Sequence, residues 1–286
     1  MAIMFGLMPS GCRKKVQTEV PLGLDEKAMT KLARIGHGLL VWERARLDKW
    51  GIWMKRLSGG AEKLLVPEEE GRDHFCPKLS PDGSLLAYMS YARGTHPYLS
   101  RRGLTGELCL MNLSTGRQLV LAEEARSYSE DRAVTWLNKR EIAYIEGKGS
   151  TMRMHLSKGG KRQVINEAPD LFGYLPSPDL KHATSGTPEF AKLNKDGELT
   201  HQPELGGCQP YFTSDSRWGF WMRGAGGPIT AMQLATRESK TIMMKDDPRL
   251  NTRRNYIYFP MVSPCMRLLA FAASADKHDH FEADYD

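Results

Sequence analysis

An all-β fold built from repeated four-stranded units is what this 286-residue sequence predicts, and three observations carry the prediction. Beyond residue 25 no stretch except Leu24 to Leu32 sustains a helical apolar period. The 27 Gly and 16 Pro are spread along the whole chain, as if punctuating many short elements. Turns of two kinds alternate from residue 57 to residue 265 without a break.

The strands come first. Short runs rich in Val, Ile, Tyr, Trp and Leu stand at Leu39-Leu40-Val41-Trp42, Leu85-Leu86-Ala87-Tyr88 and Ile142-Ala143-Tyr144-Ile145, then at Trp218-Gly219-Phe220-Trp221 and Leu268-Leu269-Ala270-Phe271. Between them, one kind of turn follows the Ser-Pro-Asp-Gly pattern. It occurs at Leu79 to Gly83, Trp136 to Lys139, Pro176 to Asp179, Phe212 to Asp215 and Val262 to Cys265. Proline presets φ for the first central turn position, and Asp or Asn bonds the backbone two residues on. The other kind closes a strand ending in Leu with small residues. It occurs at Leu57 to Gly60, Leu113 to Gly116, Leu156 to Gly159, Leu193 to Gly197 and Leu234 to Arg237.

Each kind recurs about every 35 to 55 residues, which is the length of four strands and two tight turns. That is a propeller blade. In an ordinary β-sandwich the turns would not alternate by type. Counted from a first strand at Leu39, six blades are begun, and the sixth stops at Ala283-Asp284-Tyr285-Asp286 before its outer strands. The prediction is therefore a six-bladed β-propeller over residues 36–286 with an incomplete last blade. Either the carboxyl end is cut short, which is the favoured expectation, or the amino-terminal segment completes that blade.

The segments "KLSPDGSLLAY" (78–88), "GIWMKRLSGG" (51–60) and "MVSPCMRLLAF" (261–271) resemble the TolB-type propeller repeat, a WD-like family. "TWLNKREIAY" is a fair match, whereas "PSPDLKHAT" and "FTSDSRWGFW" are weak, and Cys265 stands where the repeat has Asp. The resemblance spans about residues 36 to 286 and implies fold more than activity.

Ahead of the repeats, Ala2 to Met8 is apolar and too short to span a bilayer, which takes about 20 residues. It runs into Pro9-Ser10-Gly11-Cys12, small residues before a cysteine that resemble a bacterial lipoprotein signal. Residues 1–12 read as a shortened signal with Cys12 lipidated, and 13–35 as a tether. No basic residue precedes the apolar stretch, which departs from that pattern. The remaining cysteines, Cys76, Cys109, Cys208 and Cys265, match no zinc spacing and are compatible with thiols or two disulfides.

Apolar residues at 41% and a mean hydropathy of −0.47 exclude a polytopic membrane protein and a disordered chain. The net charge of +6 is scattered in short runs such as Arg13-Lys14-Lys15 and Arg101-Arg102, not gathered in a stripe, which argues against nucleic acid as a partner. The GxSxG, HExxH, Walker A and GxGxxG patterns are all missing.

Extra length lies in the connections between second and third strands (b–c) and between blades (d–a), all on one face of a propeller. On that face the candidates for contacting a ligand are Arg44, Arg46, Asp73, His74, Tyr91, Arg93, His96, Tyr98, Arg253 and Arg254. The run His278-Asp279-His280 is the densest metal-like cluster and raises a divalent metal as a second reading, although no cofactor is required. The expected function is a non-catalytic binding scaffold of the bacterial cell envelope, monomeric, with a protein or glycan partner on the long-loop face. The rival readings are a metal-dependent propeller enzyme of the polysaccharide lyase kind, and the regulatory propeller of a peptidase.

Overall fold

The structure is a computed structural model that describes residues 3–7, 38–46, 49–67, 69–95, 105–127, 133–157, 160–167, 174–185, 190–202, 207–224, 226–244, 247 and 256–274. Among these the secondary structure is strand and turn, with no helix.

A first strand, β1 (Ile3–Leu7), belongs to the sheet that comes last in the chain. The strands β2 (Leu39–Arg46), β3 (Lys49–Arg56) and β4 (Lys63–Val66) form a three-stranded antiparallel sheet. Next come β5 (Arg72–Leu79), β6 (Leu85–Ala92), β7 (Gly106–Asn112) and β8 (Gln118–Arg126), then β9 (Val134–Asn138), β10 (Glu141–Glu146), β11 (Ser150–His155) and β12 (Lys161–Asn166). Each four is an antiparallel meander, and a two-rung pairing, Ala125↔Glu146 and Arg126↔Ile145, joins β8 to β10. Two more four-stranded sheets are β13 (Tyr174–Pro176), β14 (His182–Ser185), β15 (Phe190–Leu193) and β16 (Leu199–Gln202), and β17 (Cys208–Phe212), β18 (Trp218–Met222), β19 (Ile229–Gln233) and β20 (Ser239–Met243). Finally β21 (Tyr256–Val262) pairs with β22 (Leu268–Ser274), whose other edge takes β1 in the register Ile3↔Ala272 to Leu7↔Leu268.

The amino-terminal segment thus supplies a third strand to the last sheet, the less favoured of the two sequence-based expectations. The reason is physical: β22 is apolar and mostly buried over Leu268–Ala273, and an open edge there would leave backbone groups unpaired.

Burial follows strand position within a sheet. Residues of β6 and β10 are buried nearly throughout, because both faces of a blade pack against neighbours. The fourth strands are exposed along their first halves, as at Gln118–Val120 and Lys161–Val164. Trp42, Trp136 and Trp221 are buried as expected of packing residues, and Trp53 is half-buried. The Trp136 indole N–H donates to the Lys78 carbonyl at 3.2 Å, tying β9 to β5. Cys76, Cys109, Cys208 and Cys265 are free thiols; Cys12 lies outside the described residues.

Four of the five turns of the Ser-Pro-Asp-Gly kind share one geometry, and the fifth is a two-residue link between the paired Asn138 and Glu141. In the first, the Ser80 amide donates to the Leu85 carbonyl, the Gly83 amide donates to the Ser80 carbonyl, and Asp82 accepts from the Ser80 hydroxyl at 2.7 Å and the Ser84 amide at 3.1 Å. The same set recurs around Ser177 and Asp179 and around Thr213 and Asp215, and Cys265 takes the carboxylate's place beside Ser263. In these four the residue after the Asp, or after Cys265, is left-handed: Gly83 at φ 68°, Leu180 at 59°, Ser216 at 57° and Met266 at 59°.

The chain divides into two compact units, one of residues 1–25, 187–190 and 201–286, the other of residues 26–186 and 191–200. Asp73 and the polar groups around it lie wholly within the second.

Candidate functional site

β5 begins at Arg72, directly after a short link from β4, and its next two residues, Asp73 and His74, are polar but buried. Asp73 is 2% exposed. One carboxylate oxygen accepts from the Trp50 amide at 3.1 Å, at the start of β3, and the other from the Gly94 amide at 2.9 Å, just past β6. The Arg93 guanidinium stands 3.8 Å from the same carboxylate and donates to the Glu69 carbonyl at 2.7 Å and the Arg72 carbonyl at 3.3 Å. One buried charge therefore ties the β2–β3 hairpin to the start of the 93–105 connection, and Arg93 ties that start to the β4–β5 link.

Arg72 spans the sheet beside it. Its guanidinium donates to the Ser90 hydroxyl at 2.9 Å and the Ser90 carbonyl at 3.0 Å on β6, and pairs with Glu107 on β7 at 2.6 Å. Sequence reading misses Arg72, Ser90 and Glu107, since nothing in their spacing marks residues that meet only through strand pairing.

His74 is 3% exposed, with its ring edge-on to Tyr88 at 5.5 Å between centroids. It bonds the Pro67 carbonyl, while Nδ1 has no hydrogen-bond partner among the described residues. Burial pushes its pKa below 6.5, with Glu69 and Asp73 opposing and Arg72 assisting. The Tyr88 hydroxyl donates to the Gln118 side-chain carbonyl, and burial raises its pKa. The neighbouring Cys109 thiol is pushed up to about 11, first by burial and then by the Glu107 carboxylate, so it is not a nucleophile at neutral pH.

The placement of the predicted residues differs from a common loop surface. Tyr91 lies inside β6, is 1% exposed, and contacts the Ser127 hydroxyl and amide at 3.3 Å. It is a packing residue, because a Cβ at Gly106 would come within 2.7 Å of its ring. Arg44 and Arg46, expected on a connection over 43–48, are strand residues: β2 and β3 pair without interruption from Leu39↔Arg56 to Arg46↔Lys49. Arg44 is exposed, pairs with Glu62 at 3.1 Å and lies 5.6 Å over the Trp53 ring. Asp73, His74 and Arg93 come together, but in internal bonds. His96, Tyr98, Arg253, Arg254 and the run His278, Asp279, His280 lie outside the described residues. Among the described residues no three His, Cys, Asp or Glu side chains are grouped to hold a metal ion, and no helix is long and apolar enough to cross a membrane.

No protein-family profile matches the chain, and no curated protein matches it in sequence. Solved structures do. TolB from Acinetobacter baumannii superposes with a TM-score of 0.54 at 14% identity, over 84% of this chain and 65% of that one. The chain thus spans slightly less than two thirds of that TolB. A protein of unknown function from Bacteroides thetaiotaomicron gives 0.53 at 10% identity over 82% and 69%, and oligogalacturonate lyase from Vibrio parahaemolyticus 0.50 at 8% over 80% and 73%. At such identities the likeness is one of fold. The antiparallel four-stranded sheets, their repeated turns and these superpositions show the chain to be a β-propeller similar in fold to that TolB.

Proposed function

We propose that this propeller is a non-catalytic binding scaffold of the bacterial cell envelope, presenting its b–c and d–a connections to a protein or glycan partner as a single copy. The observation that carries the reading is the Asp73 clamp. Both carboxylate oxygens and the Arg93 guanidinium are spent on backbone groups that fix the base of the 93–105 connection. A buried charge used this way rigidifies a loop for presentation. Arg44 over Trp53 adds an exposed cation and an aromatic ring of the sort that anchor partners. The envelope location rests on the Pro9-Ser10-Gly11-Cys12 stretch and on the TolB-like fold.

The test replaces residues 96–104 with a Gly-Ser linker and compares both proteins on an array of anionic glycans and against cross-linked envelope extract. A discrete ligand retained by the parent and lost with the linker is the expected result. Manganese-dependent release of unsaturated product from oligogalacturonate by the parent protein would overturn it. Labelled palmitate incorporation, abolished by Cys12→Ala, is the expected outcome for the anchor.

A further inference from the structure

Among the described fourth strands of this propeller, β8 leaves part of its outer edge open onto a groove. β10 pairs with β8 for two rungs, Ala125↔Glu146 and Arg126↔Ile145, and the Gly147 amide adds a last bond to the Glu124 carbonyl at 2.8 Å. The chain then turns away through Gly147 and Gly149, at φ 55° and 117°. From Gln118 to Glu123 the edge of β8 continues with no strand beside it on that side among the described residues. The space left is an open cleft of about 650 Å³ between β8 and the face of β11 and β12.

Its lining divides by chemistry. Val120 is 49% exposed on one wall and Val164 is 45% exposed on the other, two of the five large apolar side chains exposed among the described residues. Edge strands are ordinarily protected by charge. Here the apolar residues stand open, while Glu123 and Glu124 sit at one end, exposed and in no ion pair among the described residues. The third carboxylate, Glu146, is matched by Arg162 at 2.8 Å, and Lys148 is the remaining charge on the lining. Arg162 also donates to the Leu121 carbonyl at 2.8 Å, filling one position where an added strand would bond.

We propose that β8 accepts an extended polypeptide with alternating apolar and basic residues as an added strand, its ladder starting where β10 leaves off. Strand addition supplies main-chain bonds whatever the sequence, and side chains at alternate positions supply selectivity. Apolar side chains of the incoming strand would lie between Val120 and Val164, and its cations would meet Glu123 and Glu124. That pairing fits a locally acidic groove end on a chain whose net charge is +6. The proposal stands independently of the loop-face reading above, because the groove lies on the blade edge and shares no residue with the Asp73 clamp.

The probe is a fluorescein-labelled eight-residue peptide alternating Val and Lys, titrated against the full chain by anisotropy. Saturable binding is expected, at least tenfold weaker for the Val/Glu peptide and for a Val/Lys peptide N-methylated at alternate amides. Glu123→Lys with Glu124→Lys should reverse the preference between the two charged peptides, with unchanged melting curves showing that the exposed substitutions leave the fold intact. Arg162→Ala, which frees the Leu121 carbonyl, should tighten binding several-fold. Equal affinity for the N-methylated peptide, equal affinity for oligolysine without Val, or no binding by either the parent or Arg162→Ala would each overturn the proposal.

Discussion

The turn residue after the Asp offers a controlled test of how this fold is stabilised, because four turns of one geometry carry Gly83, Leu180, Ser216 and Met266 at the same left-handed position. A Cβ in that conformation costs about 1–2 kcal/mol. Glycine gives back about 0.5–1 kcal/mol through the greater freedom of its unfolded chain. Ser216→Gly should therefore stabilise the protein by about 0.5–1 kcal/mol, and Gly83→Ala should destabilise it by a similar amount. Gly83 is a clean site, since a Cβ there meets nothing within 4 Å and only backbone strain contributes. Leu180→Gly and Met266→Gly should gain little, because both side chains are half-buried against apolar clusters and burying a whole Leu or Met side chain is worth about 1.5–3 kcal/mol. Denaturant midpoints and melting temperatures measure the set, with about 2–4 °C expected per kcal/mol at this size. If Ser216→Gly lowers stability, or Gly83→Ala leaves it unchanged, the strain reasoning is wrong.

Three further outcomes concern the site and the last sheet. Asp73→Ala removes the carboxylate that accepts from the Trp50 and Gly94 amides and should cost about 2–4 kcal/mol in denaturant unfolding, since a hydrogen bond to a charged group is worth about 1.5–3 kcal/mol. For His74 the unfolded chain binds the proton more tightly, as burial lowers the folded pKa below the ordinary 6.5. Stability should thus be constant above about pH 7 and fall as pH drops through 6.5 towards the folded value, and His74→Gln should flatten that slope. Removing residues 1–8 takes the third strand from β22, and should lower the melting temperature and make it depend on protein concentration, as exposed edges associate. An unchanged, concentration-independent melt would show that this pairing contributes nothing to the folded state.

Repetition makes most of the architecture legible in the residues alone. Strand runs and turn residues are local signals, and each turn's hydrogen bonds involve residues at most five apart, so Ser80-Pro81-Asp82-Gly83 announces its own geometry. Even the imperfect copies at Ser177, Thr213 and Ser263 fold to the same bonds, because the hydroxyl and the acceptor two residues on are kept. The candidate site is legible only in part. Asp73, His74 and Arg93 stand out by residue type, but Asp73 joins groups 23 and 21 residues away and its burial has no local signature. Tyr91 resembles a stacking residue because an aromatic at a strand end gives no sign of which face it covers.

What the sequence by itself determined is a chain of short antiparallel strands, two alternating turn types, and the absence of a recognisable catalytic signature. Only tertiary structure decided that Ile3–Leu7 pairs with β22 and that β2 runs on through Arg46. It also decided that the buried Asp73 braces a connection, and that β8 is left with an open edge beside β12. The physical reason is range. Turns and strand periods depend on neighbours along the chain, whereas edge pairing, burial of a charge and the shape of a groove depend on residues that only the fold brings together.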